Sequence, residues 1–384
     1  MDDGDFKNSK YGKLVWNQDG MYYNFEPNKL PFNFDTDKEY NNLLVETATN
    51  LGRLDGLSER IPKKEIELIL YPFLIREAKL SSEIEGTRST LSDVYKSDKE
   101  KEEDREKALD NEEIKNYLKA LNFGLEKLEK ENFTEEIIKE LHRILLRGVR
   151  GQSKNPGEYK EYQNAIGKDG DNWDTAKFVP ASPRRTKELM ENLISSLNKE
   201  DENPLDIISL THYQFETIHP FQDGNGRVGR LLIILYLFKK RILKLPMMYV
   251  SEYFNAHRRN YINLLYGVSS ENKILEWIKF FLQGLNEQSK KSLEFALKLD
   301  SYKKQIKDEI KNNYRSMKLL SIVDMLFVNP YIKINDVVQE LKITHAAATK
   351  LIITLVNIKV LEELDNRKRD RIFLARKILR ILEI

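Results

Sequence analysis

Twelve consecutive residues, His219-Pro220-Phe221-Gln222-Asp223-Gly224-Asn225-Gly226-Arg227-Val228-Gly229-Arg230, hold a base, a carboxylate, three glycines and two arginines. Gly224, Gly226 and Gly229 carry no Cβ, so the backbone can turn sharply and approach a ligand closely. The apolar run from Val228 to Phe238 reads as a buried helix that begins inside this stretch. Its first N–H groups, unpaired and at the positive end of the helix dipole, would face an anion. Arg227 and Arg230 stand three apart and share a helix face, which suits them to clamp successive phosphates. Asp223 is a hard oxygen ligand of the kind Mg²⁺ takes when phosphates supply its other contacts. His219 accepts a proton near neutral pH. The density of such groups points to a phosphate site with chemistry attached.

Other motifs fit less well. Gly224-x-Gly226-x-x-Gly229 matches a dinucleotide fingerprint, but that motif follows a strand. Here Ile207–Ile218 reads as a helix, with apolar side chains at Ile208, Leu210, Phe215 and Ile218. The Gly-Lys-Ser/Thr of a Walker loop is absent. His212 and His219 flank Glu216, yet the spacing is not His-Glu-x-x-His and Pro220 ends the helix, which argues against zinc. His212 is expected to pack or to make a structural hydrogen bond.

The twelve residues resemble the signature of the Fic (filamentation induced by cyclic AMP) family, His-Pro-Phe-x-Asp-Gly-Asn-Gly-Arg-x-x-Arg, and the resemblance covers about Leu51 to Leu285. It implies a protein adenylyltransferase that moves AMP from ATP to a Ser, Thr or Tyr hydroxyl of a target protein or of itself. His219 would then deprotonate the hydroxyl, and Asp223 would hold Mg²⁺ on the α- and β-phosphates. Asn225 with the Gly224 and Gly226 amides resembles an anion hole, Arg227 a phosphate clamp and Arg230 the γ-phosphate ligand. Val228 and Gly229 belong to the same nucleotide-binding stretch. Phe221 would anchor the loop in the core.

The same resemblance draws in three distant segments. Ser81-Ser82-Glu83-Ile84-Glu85-Gly86 ends a predicted helix over Lys64–Ile84, interrupted near Pro72, and places Ser81 and Glu85 on one face. It is similar to the inhibitory motif of self-inhibited Fic proteins, in which the Glu85 carboxylate would occupy the Arg230 guanidinium. A second chemistry at the same site, as in some relatives, would have Glu85 orient water to remove AMP from a modified target. Tyr159–Ile166 and Ala176–Pro180 read as a β-hairpin, similar to the family flap that holds the target segment by strand addition, with Ile166, Phe178 and Val179 at its edge. Lys160 departs from the family's usual Arg there, which puts substrate fit in doubt. Tyr253, His257 and Tyr261 recur every four residues as an aromatic stripe, and Tyr261 best matches the family's adenine contact.

The elements that must position these groups are mostly helical. The first forty residues read as a largely extended arm, followed by a helix over Leu43–Gly56. Asp98–Lys107 is a solvated face or connector. Core helices follow around Ile114, Tyr117, Leu118 and Leu121, then Ile137, Leu141 and Ile144, with His142 a structural residue. An amphipathic helix over Thr186–Leu197 leads to the signature, Ile274–Leu285 closes the core, and a charged helix runs from Glu287 to Lys318. The expected fold is mainly α: a Fic-type helical core with a small β-hairpin flap, then a winged helix-turn-helix domain. The expected domains are residues 1–110 (arm and inhibitory helices), 111–290 (catalytic core) and 291–384 (linker helix and winged helix).

That last domain is read from helices over Leu319–Phe327, Ile334–Leu341 and His345–Ile358, then strands at Val360–Leu364 and Arg371–Leu374. Lys350, Arg367, Lys368, Arg369 and Arg371 could touch phosphates, but the three alanines 346–348 offer bases little. DNA binding, with the nucleotide site as a sensor, and protein contact, a homodimer included, stay open. A balance of 63 basic and 61 acidic residues excludes a global pull toward nucleic acid or membrane. Absence of cysteine excludes disulfides and thiolate metal sites and fits a reducing cytoplasm. No apolar run approaches the roughly 20 residues of a membrane span.

Overall fold

The computed structural model describes residues 3–18, 20–59, 66–167, 175–364 and 370–383. Among these, fifteen α-helices stand against five short strands, so the chain is mainly α, as its periodicities predict. The N-terminal stretch is more than an extended arm. It forms an antiparallel hairpin, β1 (Gly12–Asn17) and β2 (Tyr22–Pro27). Phe25 of β2 and Phe6 pack against Phe178, some 150 residues away in sequence, a contact that the local pattern does not disclose.

Helix α1 (Lys38–Ser58) is capped by Asp37, whose carboxylate accepts from the Tyr40 amide. Helix α2 (Ile66–Ile84) carries Pro72 in its second turn without ending there. Burial of Phe73, Leu74, Ile75 and Ala78 offsets the backbone bond that the proline removes. After α3 (Leu91–Ser97), the charged run feeds α4 (Arg105–Lys130), whose first amides are capped by Asp104. Helices α5 (Glu135–Leu145), α6 (Pro183–Leu197), α7 (Pro204–Ile218) and α8 (Asn225–Lys239) complete the centre. Asn203 and Pro204 start α7 as a cap and a first-turn proline should. Helix α8 is buried from Val228 to Leu237, because α4, α5 and α7 all pack on it.

Two helical readings change. The aromatic stripe does not lie on one helix, since α9 (Ser251–Ala256) and α10 (Arg258–Glu271) break at His257. The two helices expected around position 286 are one, α11 (Ile274–Asn313), 40 residues long and so about 60 Å. Beyond Leu285 it keeps a narrow buried stripe, Phe295, Leu299, Ile306 and Ile310, within an otherwise charged surface. Helix α1 lies along its first half, where Asn50 Nδ2 donates to Asn286 Oδ1 at 2.7 Å.

The C-terminal elements run α12 (Met317–Val328), β3 (Tyr331–Lys333), α13 (Ile334–Leu341), α14 (His345–Asn357), β4 (Glu362–Glu363), β5 (Ile372–Leu374) and α15 (Arg376–Glu383). The strands form an antiparallel sheet in the order β3-β5-β4. Arg367, Lys368 and Arg369 lie outside the described residues. Arg371 pairs with Glu363 at 3.3 Å and lies over the Phe373 ring. This unit rests on α2 and α3. The Ser92 and Tyr331 hydroxyls are 2.6 Å apart, Asn329 Nδ2 donates to the Tyr95 carbonyl at 3.1 Å, and Lys99 pairs with Asp336 at 2.8 Å. Arg76 of α2 donates from Nη1 to the Leu382 carbonyl of α15 at 3.3 Å and pairs through Nη2 with Glu252 at 2.8 Å. One continuous apolar cluster extends from Tyr11 to Leu382. No helix of the described residues is long and apolar enough to cross a membrane.

Candidate active site

Helix α7 ends at His219, whose backbone adopts the left-handed conformation at φ 50° and ψ 62°. A non-glycine residue held there is strained, and such strain persists only where the surroundings over-determine it. Here they do. Asn225 closes the loop that follows, accepting from the Phe221 amide at 2.9 Å and donating to the Phe221 carbonyl at 2.8 Å. Phe221 is fully buried and stacks on the His142 ring, centroids 3.8 Å apart. His142 Nδ1 accepts from the Gly157 amide, so its Nε2–H donates to the Asp223 carbonyl at 2.9 Å. Burial pushes that imidazole down to about 4, and it serves as a neutral strut. Replacing Phe221 by Ala should cost about 3–5 kcal/mol, read as a lowered urea midpoint, because it empties the socket that fixes the loop.

Gly224, at φ 74°, turns the chain into α8 as its N-cap, a conformation that favours glycine. The first-turn amides of α8 have no intrahelical acceptors and open onto a cavity of about 650 Å³. His219, Asp223, Gly224, Asn225, Gly226, Arg230, Glu85, Tyr261, Ile166 and Phe178 line that cavity. Ser81, Arg227, Val228, Gly229 and Val179 do not. Val228 is buried in the core, and Gly229 gives its carbonyl to His212 Nδ1. His212 is thus structural, its Nε2 accepting from the Tyr261 hydroxyl at 2.8 Å. Val179 turns to the N-terminal hairpin, its carbonyl accepting from the Phe25 amide at 2.9 Å. The two flap segments meet in a single bridge, Ile166 with Phe178. The intervening residues 168–174, among them Gly170, lie outside the described residues.

His219 Nδ1 lies 3.3 Å from the Glu216 carbonyl, an acceptor, so Nδ1 carries the hydrogen and Nε2 keeps its lone pair. Burial, helped by the Lys160 ammonium, pushes the imidazole down to about 4 against the opposing pull of the Glu216 carbonyl and Glu85. It is therefore neutral and able to accept a proton throughout the neutral range.

Arg230 is a deeply buried charge, with 1% of its side chain exposed. A guanidinium so placed needs partners. Its Nη2 meets Glu85 Oε1 at 2.7 Å and the Ser81 carbonyl at 2.9 Å, while Nε donates to Ser81 Oγ at 2.9 Å. Burial would raise the Glu85 carboxyl, but Arg230, with Arg227 and His219, outweighs it and holds the group below its ordinary range. The pair is so close to the loop that a Cβ at Gly226 would fall 2.2 Å from Glu85 Oε1 and 2.8 Å from Arg230 Nη1.

Two groups fit a magnesium nucleotide. Arg227 is 5% exposed, its Nη2 is 3.8 Å from Asp223 Oδ1, and its Nε and Nη1 have no partner among the described residues. Buried donors in that condition suit a phosphate. Asp223 is a partly exposed carboxylate whose Oδ1 accepts from the Gly224 amide at 2.6 Å. Among the described residues no three His, Cys, Asp or Glu side chains cluster as a metal cage. A lone carboxylate beside phosphate donors fits Mg²⁺ that takes its other ligands from the nucleotide and water.

Sequence reasoning missed two groups here. Glu216 lines the cavity partly buried, one buried oxygen has no partner among the described residues, and burial pushes its carboxyl up to about 7 despite Arg230. Lys160 faces no substrate, as it is 3% exposed and lies beneath the His219 backbone. A lysine between glycine-rich turns carries no local signal of burial.

Three family models match consecutive parts of the chain: Fic/DOC family N-terminal over residues 41–126, Fic/DOC family over 132–237, and the C-terminal domain of SoFic-like protein adenylyltransferases over 299–378. Among curated proteins, the chain is 28% identical to protein adenylyltransferase fic-1 of Caenorhabditis elegans over 142 residues, 36% of this chain and 26% of that protein. It is 35% identical to a probable protein adenylyltransferase of Aquifex aeolicus over 86 residues, 22% and 26% of the two chains. The matches thus span about a quarter of each relative. Among solved structures, a Fic family protein from Desulfovibrio desulfuricans aligns over 90% of this chain and 98% of its own, with TM-score 0.58 and 20% identity. A Fic domain containing signaling protein from Bacteroides thetaiotaomicron aligns over 67% and 96%, with TM-score 0.52 and 23% identity. The signature loop and nearly all of its helix fall within the Fic/DOC match, Ser81 and Glu85 fall within the N-terminal match, and the chain belongs to the Fic/DOC family.

Proposed function

We propose that this chain is a protein adenylyltransferase that moves AMP from ATP to a hydroxyl side chain of a protein, held in check by Glu85. The observation that carries this reading is the neutral His219 facing the same cavity as the α8 amide terminus and the Arg230–Glu85 pair. A target Ser, Thr or Tyr oxygen would attack the α-phosphorus while its proton passes to His219 Nε2. The bond from the α-phosphorus to the bridging oxygen breaks, and pyrophosphate leaves. Arg227 and the α8 amides would neutralise the charge gathered on the phosphates. Mg²⁺ held by Asp223 would add Lewis-acid neutralisation of the same oxygens. The target segment would lie as an added strand along Ile166 and Phe178. With Glu85 and Ser81 on Arg230, the γ-phosphate has no guanidinium to receive it, and the donor is held away from the productive pose.

The helices and three-stranded sheet after α11 have the order of a winged helix, which we take as a regulatory unit of the same chain. The test uses ATP labelled at the α-phosphate, with Mg²⁺, on the full chain alone and with cell extract. Label on protein from α- but not γ-labelled ATP is expected. Label from γ-labelled ATP only would make the enzyme a kinase and overturn the reading, as would no label even when Glu85 is replaced by Gly.

A further inference from the structure

Four successive carbonyls cross the bend that presents His219, and two flap residues reach all of them. Ile218 O accepts from Lys160 Nζ at 2.9 Å and Pro220 O from the Lys160 amide at 2.8 Å. His219 O and Phe221 O accept from Asn164 Nδ2 at 3.0 and 2.8 Å. Lys160 Nζ also donates to Asn164 Oδ1 at 2.9 Å, which joins the two into one clamp. The other flap segment is tied to the same place, Gln163 Nε2 donating to Pro180 O at 3.0 Å and the Ala181 amide to Thr217 O at 3.4 Å.

A buried amine is a costly way to satisfy a carbonyl. Burial drives the Lys160 amine well below its ordinary range, with Glu26 opposing. Removing the amine alone would leave the Ile218 carbonyl and Asn164 Oδ1 without this donor. The clamp therefore satisfies buried acceptors. Its geometry does something packing cannot, since Asn164 lies two residues before Ile166, where the flap edge begins.

We propose that Lys160 and Asn164 are positioning residues for the transfer reaction, tying the flap on which the target strand lies to the backbone of the base so that the two move as one body. The proposal rests on the reading of His219 as that base. It explains how a residue in a strained conformation keeps its register against the target strand: Lys160 and Asn164 bond the backbone on both sides of the His219 Cα. The charged and titratable groups around the clamp and His219 are Glu26 on β2, Glu216 on α7, Glu85 after α2, Asp223 in the loop and Arg230 on α8.

The test compares Lys160→Met and Asn164→Ala, each in the full chain carrying Glu85→Gly, with that parent. Steady-state AMP transfer is measured, with Mg·ATP affinity by calorimetry and His219 titration by NMR of chain labelled with ¹⁵N-histidine. Both variants should lower kcat about ten- to a hundredfold, the loss expected of a misplaced reacting group, with KM for ATP and Mg·ATP affinity within about twofold. Lys160→Met should also raise the His219 pKa, by roughly half a unit or a threefold gain in proton affinity, because a neighbouring cation is removed. Asn164→Ala, a milder change at a half-buried site, should leave that titration in place and provides the kinetic readout if Lys160→Met does not fold. Values of kcat within twofold of the parent overturn the proposal. So does a loss of kcat matched by an equal loss of Mg·ATP affinity, the mark of general loosening. Should the parent transfer no AMP, the adenylyltransferase reading fails by itself, while an unmoved His219 titration in Lys160→Met would separately remove the link between flap and imidazole.

Discussion

His219→Ala should remove AMP transfer by about 10²–10⁴-fold, the range that general-base help supplies. Mg·ATP should still bind, because the groups proposed to hold the phosphates are the α8 amides, Arg227 and Asp223, and none of them leans on the imidazole. The loop also survives the change, since Asn225, His142 and Phe221 close it without the His219 side chain. Calorimetry with Mg·ATP beside transfer of α-label separates the two effects. Persistent transfer by the variant would reject His219 as the base, and lost nucleotide binding would assign it to the binding surface. The acid side of the wild-type profile gives a second check. The base works only when neutral and titrates at about 4, so its contribution holds from neutral pH down to about 5 and disappears as pH falls through 4.

Glu85→Gly should act in the opposite direction and raise transfer by about 5–150-fold, the span of typical coupling energies between sites. The argument is one of competition for Arg230. In the resting chain Glu85 and Ser81 take its Nη2 and Nε. Removing the carboxylate frees a buried cation that must find a new anion, and the γ-phosphate is the one the cavity can deliver. Glu85 follows the last residue of α2, next to Gly86, so loss of its side chain disturbs no helix interior. Glu85→Gln keeps an acceptor but loses the charge, and should fall between wild type and Glu85→Gly. Equal activity in all three would mean that the pair seen with Arg230 does not restrain the donor.

Both predictions come from residues that could be found without a structure, and the reason is locality. The base, the glycines and the arginines occupy one turn and the first coil of a helix, so their spacing alone puts them together. Ser81 and Glu85 are one helical turn apart, again a local relation. The C-terminal helices and strands were legible for a similar reason, as each is short and bounded by turn residues. What stayed hidden was decided by distant contacts. The strands at Gly12–Asn17 and Tyr22–Pro27 flank Asp19-Gly20, a turn signal that could have been read, but Phe6 and Phe25 gain their burial from Phe178. The far half of α11 shows a charged surface and only a thin apolar stripe, enough when α12 covers it. Lys160 is the sharpest case, because its residue type argues for solvent and its burial follows from the path of a backbone 58 residues on.

Arg76 carries a consequence for how this molecule could answer to its surroundings. It sits on α2, five residues before Ser81 and nine before Glu85, and its guanidinium holds the last turn of α15 through the Leu382 carbonyl. The segment that restrains Arg230 and the end of the C-terminal unit therefore share one bond. On the proposed restraint by Glu85, a molecule that binds the C-terminal unit better when α2 has shifted would favour the active state, and Mg·ATP would strengthen that molecule's binding by the same factor. The reciprocity would make the far end of the chain a place where a signal can be written or read, with nucleotide level reported outward as readily as an outside ligand is reported inward.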